Sequence, residues 1–444
     1  MRYREIKGIH SVTIINPESG EAIEDCDIQI EKGIIFSIKL SKGTPPEDYL
    51  NGTGLYAIPG LIDTHVHSLG FVNEDLPSIF DLRWIFRQQR NNLAYYLRSG
   101  VTTIRDMGSA TKLIRSYSRR AARFKIQSPR IIYAGPMFTV KGGYPHYVPR
   151  VPFYIRWFAG LIRIDCKNEK HAQEMVDKVV AAGARIIKVM YQSEEYDDER
   201  TKIPIISLSI IRAIVERAHF HNIPVGIHHT YRKDLQELLK TDIPFDSLEH
   251  LTTDEHLSDG EIKNLVQRGV SNSTTFTAYS FVYHGDELEA LIQQEPKRFE
   301  KKSIQFLQKM CQAIRSGGEP LRIMSRNYLN SAPKFMRANL KKSLDAGVKI
   351  VYATDSGISV PSGIPHWELK DMVQAGMTNL DALKAATCVA ADVIDMPELG
   401  RLEPNKIADI VLLRGNPLEK IETVKDVAAV IRDGYLVHDE IKVP

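Results

Sequence analysis

Long apolar runs are missing from this chain. Nothing approaches the roughly 18 consecutive apolar residues of a membrane span. The nearest stretch, "VPFYIRWFAGLI" at 151–162, is shorter and is broken by Arg156, which leaves it as an apolar loop or lid. The opening "MRYREIKGIHSVTII" has no leader-like apolar core and predicts a strand. Cysteine is scarce too. Cys26, Cys166, Cys311 and Cys388 are scattered with no CxxC spacing, which argues against a disulfide framework or a thiolate zinc site and fits a reducing, cytoplasmic compartment. Charge of one sign is not in excess: 58 Lys and Arg against 55 Asp and Glu leave +3 on 444 residues. Nothing in that balance points to nucleic acid or an anionic membrane as a partner. Low-complexity segments and short-period repeats are absent as well.

What is present is a globular composition, 43% hydrophobic and 25% charged, on a chain long enough for one large domain and a smaller one. The first fifty-odd residues give short strands, "HSVTIIN" and "CDIQIEKGIIFSIKL", separated by turn residues. From about Ala57 strands alternate with helices. The strand cores read "AIPGLIDTHVH", "VTTIRDMG", "RIIYAG", "ARIIKVMY", "IPVGIHHT", "DSLEHL", "VSNSTTF" and "VKIVYATDS". Continuous apolar strands of this kind belong to a parallel sheet covered by helices, and eight of them predict a (β/α)₈ barrel, a TIM barrel in the α/β class. After Gly400, "KIADIVLLRGN" and "VAAVIRDGYLVHDE" return to short strands. The expected domains are 1–57 and 401–444 as two parts of a small β-sandwich, flanking a barrel over 58–400. Two stretches exceed barrel connections: 141–165 after the third strand and an insertion at 286–347.

In such a barrel the functional side chains stand at the C-terminal ends of strands. The first strand ends with His65 and His67, which face one way because alternate strand residues do. The fourth carries Lys188, the fifth ends in His228 and His229, the sixth in His250 and the eighth in Asp355. Imidazoles with one carboxylate make a metal-site inventory. Lys188 is the odd member, because an ammonium repels a cation. Reaction of its amine with CO₂ gives an anionic carbamate whose two oxygens can bridge two metal ions. Such a pair lowers the pKa of a shared water towards about 7 and polarises a scissile carbonyl. Asp355 can bind one metal, take the proton of the bridging hydroxide and deliver it to the leaving amine. The "HFH" at His219–His221 has the same spacing as His65 and His67 but ends a helix before the fifth strand. Its position is the opposite face, and it reads as a surface pair.

These stretches resemble a known family. "PGLIDTHVH", the lysine of "IIKVM", "SLEHL", "YATDSG" and "GRLEPNKIADIVLL" are similar to the amidohydrolase superfamily over nearly the whole chain. "GVTTIRDMG" and "HWELKDMVQAGMTNLDALKAATCVAADVI" add similarity to its imidazolonepropionase-like and Xaa-Pro dipeptidase (prolidase) branch. The resemblance implies a (β/α)₈ barrel with a small β-sandwich and a binuclear zinc centre bridged by a carboxylated lysine. His65, His67 and Asp355 would hold the more buried metal and His228 and His250 the other, with Lys188 between. Some positions depart from the family pattern. "KGGYPHY" puts Tyr144 where a substrate-binding histidine is usual, and His146 two residues later. "HHTY" leaves His229 as a competitor of His228, and sets Tyr231, a candidate for a substrate carboxylate, one place late. "EPNKIAD" has Asn405 at a usual glycine.

The segment 141–165 is rich in aromatics (Tyr144, Tyr147, Phe153, Tyr154, Trp157, Phe158) that would form an apolar rim or lid. Arg150, Arg156 and Arg163 would pair with a carboxylate. The expected reaction is hydrolysis of an amide bond in a small substrate, such as an Xaa-Pro dipeptide or an N-acyl amino acid. The alternatives are a cyclic amide, a lactone or a phosphotriester, and a metal-bearing protein that binds without catalysis. A small molecule is the expected partner; a homo-oligomer stays open.

Overall fold

The computed structural model describes residues 3–70, 82–146 and 159–441. Ten parallel strands form its centre. One sheet joins β1 (Leu61–Val66), β2 (Val101–Asp106) and β3 (Arg130–Tyr133). A second, seven-stranded sheet runs through β4 (Met137–Thr139), β5 (Arg163–Asp165), β6 (Ile187–Met190), β7 (Val225–His228), β8 (Ser247–Glu249), β9 (Ser271–Ser273) and β10 (Lys349–Val351), with β5 at one edge beside β4 and β10 at the other. Every residue of β1, β2, β6, β7 and β8 is buried. That pattern requires cover on both faces, which the intervening helices provide. The helices start where their caps say they should: Asn168, Ser207, Ser325 and Thr378 each accept an N–H from the first turn, and Ser258 with Glu261 closes a capping box.

Backbone bonds join the two sheets. His67 N–H donates to Ser356 O at 2.9 Å and Asp355 N–H to His65 O at 2.8 Å, so β1 runs beside the segment after β10. On the other side, Arg185 N–H donates to Tyr133 O at 3.1 Å. Both ends of the chain build one further, nine-stranded sheet. In it Ile410–Leu413 pairs antiparallel with Tyr56–Pro59 and with Val427–Arg432, and Tyr56–Pro59 lies parallel to Gly8–Ile15. Its own core includes Ile9, Val12, Ile28, Leu412 and Ile431.

All eight expected strands are present, each shorter than the apolar run that announced it. Two more, β4 and β5, lie where the sequence reads as the approach to a loop and its far end; they pair with each other from Met137–Arg163 to Thr139–Asp165. Residues 147–158, and with them Tyr147, Arg150, Phe153, Tyr154, Arg156, Trp157 and Phe158, lie outside the described residues. The long stretch before β10 is helical, with Gly285–Gln294, Lys301–Ser316 and Arg326–Asp345. No described helix is long and apolar enough to cross a membrane, and all four cysteines are free and buried.

Candidate metal centre

Of the six metal-site residues expected from the sequence, His65, His67, His228, His250 and Asp355 come together at the C-terminal ends of the strands. Asp355 Oδ1 lies 3.2 Å from His67 Nε2 and 3.5 Å from His65 Nε2. One donor atom each from His65, His250 and Asp355 falls within 4.8 Å of the others. The rings of His65 and His250 are 4.8 Å apart and those of His250 and His228 are 4.6 Å apart. Lys188, from β6, is 1% exposed, and its Nζ has no hydrogen-bond partner among the described residues.

The backbone departs from strand geometry where the side chains must turn inward. His250 has φ 81° and Asp355 has φ 52°. Non-glycine residues seldom adopt such angles, and they persist where the surroundings fix them. The turn at His250 explains how it and its neighbour Glu249 both reach the site, since strand alternation would send them to opposite faces. Two glycines make room. A Cβ on Gly226, in β7, would fall 2.6 Å from Glu249 Oε1, and one on Gly108 would fall 2.9 Å from His67 Cε1.

Each imidazole has one nitrogen occupied by the protein. His65 Nδ1 lies 2.7 Å from Glu249 Oε2, His67 Nδ1 3.2 Å from Gly108 O and His250 Nδ1 2.9 Å from Thr275 Oγ1. These contacts leave Nε2 towards the site. His228 is reversed: its Nε2 lies 2.7 Å from Gln192 Oε1, which also accepts the Tyr196 hydroxyl at 2.9 Å. That leaves its Nδ1. Glu249 is in turn held by Arg105 (3.2 Å), Ser247 (2.8 Å) and Ser273 (3.0 Å).

Burial keeps His65, His228 and His250 in coordinating form, whereas in His67 burial is outweighed by the Asp355 carboxylate, which raises the ring above the ordinary imidazole value. Burial, reinforced by the Lys188 charge, pushes His65 down to about 4 and carries His228 well below the ordinary imidazole value. His250 is driven well below that value by burial, then by the neighbouring imidazoles and Lys188. Neutral rings present lone pairs. Burial raises the Asp355 carboxyl, but His65 and His67 outweigh it and hold the group below its ordinary range. Burial pushes the Lys188 ammonium down to about 8. Three neutral imidazoles, an ionised carboxylate and a buried amine without a partner among the described residues fit divalent cations better than they fit an empty core.

The other expected site residues divide. The Tyr144 ring stacks on His228 at 4.7 Å and meets Tyr196 edge-on at 5.6 Å, so it belongs to the cluster. His229 is buried, with Nε2 3.3 Å from Thr252 Oγ1, and makes no ring contact with His65, His67 or His250. Tyr231 donates its hydroxyl to Glu195 O at 2.5 Å, and Arg200 covers its ring at 4.4 Å. His146 has a 43% exposed side chain and meets Glu195 at 3.0 Å. Arg163 donates to Val140 O, Pro145 O and Asp165, tying the stem of its loop together. The control pair behaves as expected: His219 meets Asp246 at 2.8 Å and His221 meets Asp177 at 2.7 Å, outside the site. Glu249, Gln192, Thr275, Tyr196 and Tyr279, whose ring meets that of His250 edge-on at 6.1 Å, carry no role in the sequence reading. None of them had a signal there: Glu249 precedes His250 in "SLEHL", where strand alternation would place it on the outer face.

Strand-end imidazoles, a carboxylate and a buried lysine equip a protein to activate water for hydrolysis. The amidohydrolase family model matches residues 56–437, and the chain belongs to that family of hydrolytic enzymes. It is 24% identical over 445 aligned positions to an ochratoxinase of Aspergillus niger, covering 94% of this chain and 83% of the other. Its fold is similar to that of a Xaa-Pro dipeptidase solved with methionine in the active site (TM-score 0.75, 22% identity, 97% and 98% of the two chains). The solved A. niger ochratoxinase is similar as well (TM-score 0.72, 21% identity, 98% and 96%).

Proposed function

We propose that the protein is a binuclear metal-dependent amidase that cleaves one amide bond in a small substrate, an Xaa-Pro dipeptide or an N-acyl amino acid. His65, His67 and Asp355 would hold one cation and His228 and His250 the other, with Lys188 as a carbamate between them. Zinc suits this imidazole and carboxylate set. When bound, two such cations lower the pKa of water and polarise a carbonyl oxygen. Asp355, ionised and within 3.2 Å of His67 Nε2, accepts the proton of the attacking water at a carboxylate oxygen. It returns that proton to the amide nitrogen as the C–N bond breaks. Tyr144 and Tyr196 close over His228 and keep solvent away from the reacting bond.

The observation that carries this reading is Lys188: a fully buried amine with no hydrogen-bond partner among the described residues, its charge acting on His65, His228 and His250, which burial keeps neutral. Such a group costs stability unless it is converted into something the site needs. The substrate class rests on the relatives named Xaa-Pro dipeptidase and ochratoxinase. The seam from β1 to the segment after β10 supports a closed (β/α)₈ barrel over 58–400. The mixed sheet of Tyr56–Pro59 and Ile410–Leu413 supports a sandwich built from 1–57 and 401–444. Free, buried cysteines support a reducing, cytoplasmic setting. Metal analysis followed by a screen of Xaa-Pro dipeptides, N-acyl amino acids, lactones and phosphotriesters tests the proposal. Two equivalents of metal with amide turnover are expected. Two equivalents with turnover confined to lactones or phosphotriesters, or with none, would contradict it.

A further inference from the structure

The strand pleat does not aim His250. The residue stands one step beyond β8 with a left-handed backbone, so the direction of its ring depends on what touches it. Its Nδ1 meets Thr275 Oγ1 at 2.9 Å. Thr275 is itself left-handed, with φ 53°, a conformation that β-branched residues rarely adopt. Its N–H donates to Ala353 O at 2.9 Å, on the segment that leads to Asp355. One threonine therefore touches both the imidazole and the chain that presents the carboxylate.

The segment around Thr275 is gripped from outside the site. Glu368, in the helix Pro365–Gln374, is 0% exposed. Its Oε1 accepts the Phe276 N–H at 2.9 Å and the Thr274 hydroxyl at 2.5 Å. Its Oε2 accepts the N–H and the hydroxyl of Thr277, both at 2.7 Å. Residues on either side of Thr275 thus donate four bonds to one buried carboxyl group. A fully satisfied buried network of this kind imposes a single local geometry.

We propose that Thr275 is a positioning residue that sets the tautomer and direction of His250, and that Glu368 acts through Thr275 by fastening the segment 274–277. The inference rests on the reading of His250 as a cation ligand. Thr275 Oγ1 accepts Nδ1–H, which leaves the Nε2 lone pair for the cation. Holding the far nitrogen of a ligating histidine is worth roughly 10- to 100-fold in metal affinity.

The test uses the full chain loaded with Zn²⁺, with release into excess EDTA timed and stoichiometry measured, beside the melting temperature of each metal-free variant. Thr275→Val keeps the shape and removes the hydroxyl; it should release Zn²⁺ about 10-fold faster or more, with metal-free melting close to wild type. Thr275→Ser restores the acceptor and should stay within about threefold of wild type, well inside that range. Glu368→Gln should shift release in the same direction as Thr275→Val. If Glu368→Gln does not fold, the valine and serine pair decides. A Zn²⁺-binding wild type with unaltered release from Thr275→Val overturns this inference alone, as does a serine variant that fails like valine. A wild type that binds no Zn²⁺ overturns the ligand reading beneath it.

Discussion

Replacing Lys188 with methionine should make the metal-free protein more stable. The two side chains are unbranched and of similar length, so the substitution leaves little cavity and no strain. It removes a charge from a site where the residue is 1% exposed and its Nζ has no hydrogen-bond partner among the described residues. Burial takes the ammonium from its ordinary 10.5 to about 8, against the pull of Glu249 and Asp355. Each tenfold loss of proton affinity is worth about 1.4 kcal/mol, so the charged lysine costs the folded state about 3 kcal/mol. The sign follows from linkage: between about pH 8 and 10.5 the unfolded chain binds the proton and the folded one does not, so wild-type stability rises with pH over that window. The penalty is complete below pH 8. Urea unfolding of EDTA-treated proteins in CO₂-free buffer, at pH 7 and pH 10, measures the difference. Lys188→Met should be more stable by about 3 kcal/mol at pH 7, with most of that gap closed at pH 10. A methionine variant no more stable than wild type at pH 7, or a gap equally wide at pH 10, would refute the reasoning. The gain in stability should come with loss of activity, as expected where a strained group is kept for function.

Lys188→Ala should abolish amide turnover, and added formate or acetate should restore part of it by occupying the vacated carboxylate position; activity in the variant without any added carboxylate would contradict the bridging role. Asp355→Asn should lower kcat by about 10²- to 10⁴-fold with little change in KM, and a wild-type rate would exclude it as the proton carrier. Glu249→Ala leaves Arg105 buried without its carboxylate partner and should cost about 3–5 kcal/mol in thermal or urea unfolding, whereas Glu249→Gln keeps a hydrogen-bond acceptor for His65 and should cost less.

The residues that meet at the site were legible because strand order and strand ends can be read from apolar runs. His65, His67, Lys188, His228, His250 and Asp355 each close or occupy such a run. The groups that aim them were not legible. Glu249 sits beside His250 in a strand, and alternation would place it on the outside; only the left-handed turn at His250 brings both inward. Gln192 and Thr275 act across strands, through bonds to His228 and His250 that depend on register between neighbours. The same limit explains Tyr144 and His146. Two residues apart in a loop, they carry no periodic signal, and the structure sends Tyr144 onto His228 while His146 pairs with Glu195 at the surface. The short strands β4 and β5 were hidden because they lie at the two ends of a stretch that reads as a loop.

A crystal structure of the zinc-loaded protein, with anomalous data at the zinc edge, tests the central claim most directly. It should show two peaks, one among His65, His67 and Asp355 and one beside His228 and His250, joined by density for a carbamate on Lys188. A single peak, or an unmodified Lys188 that touches neither ion, would contradict it.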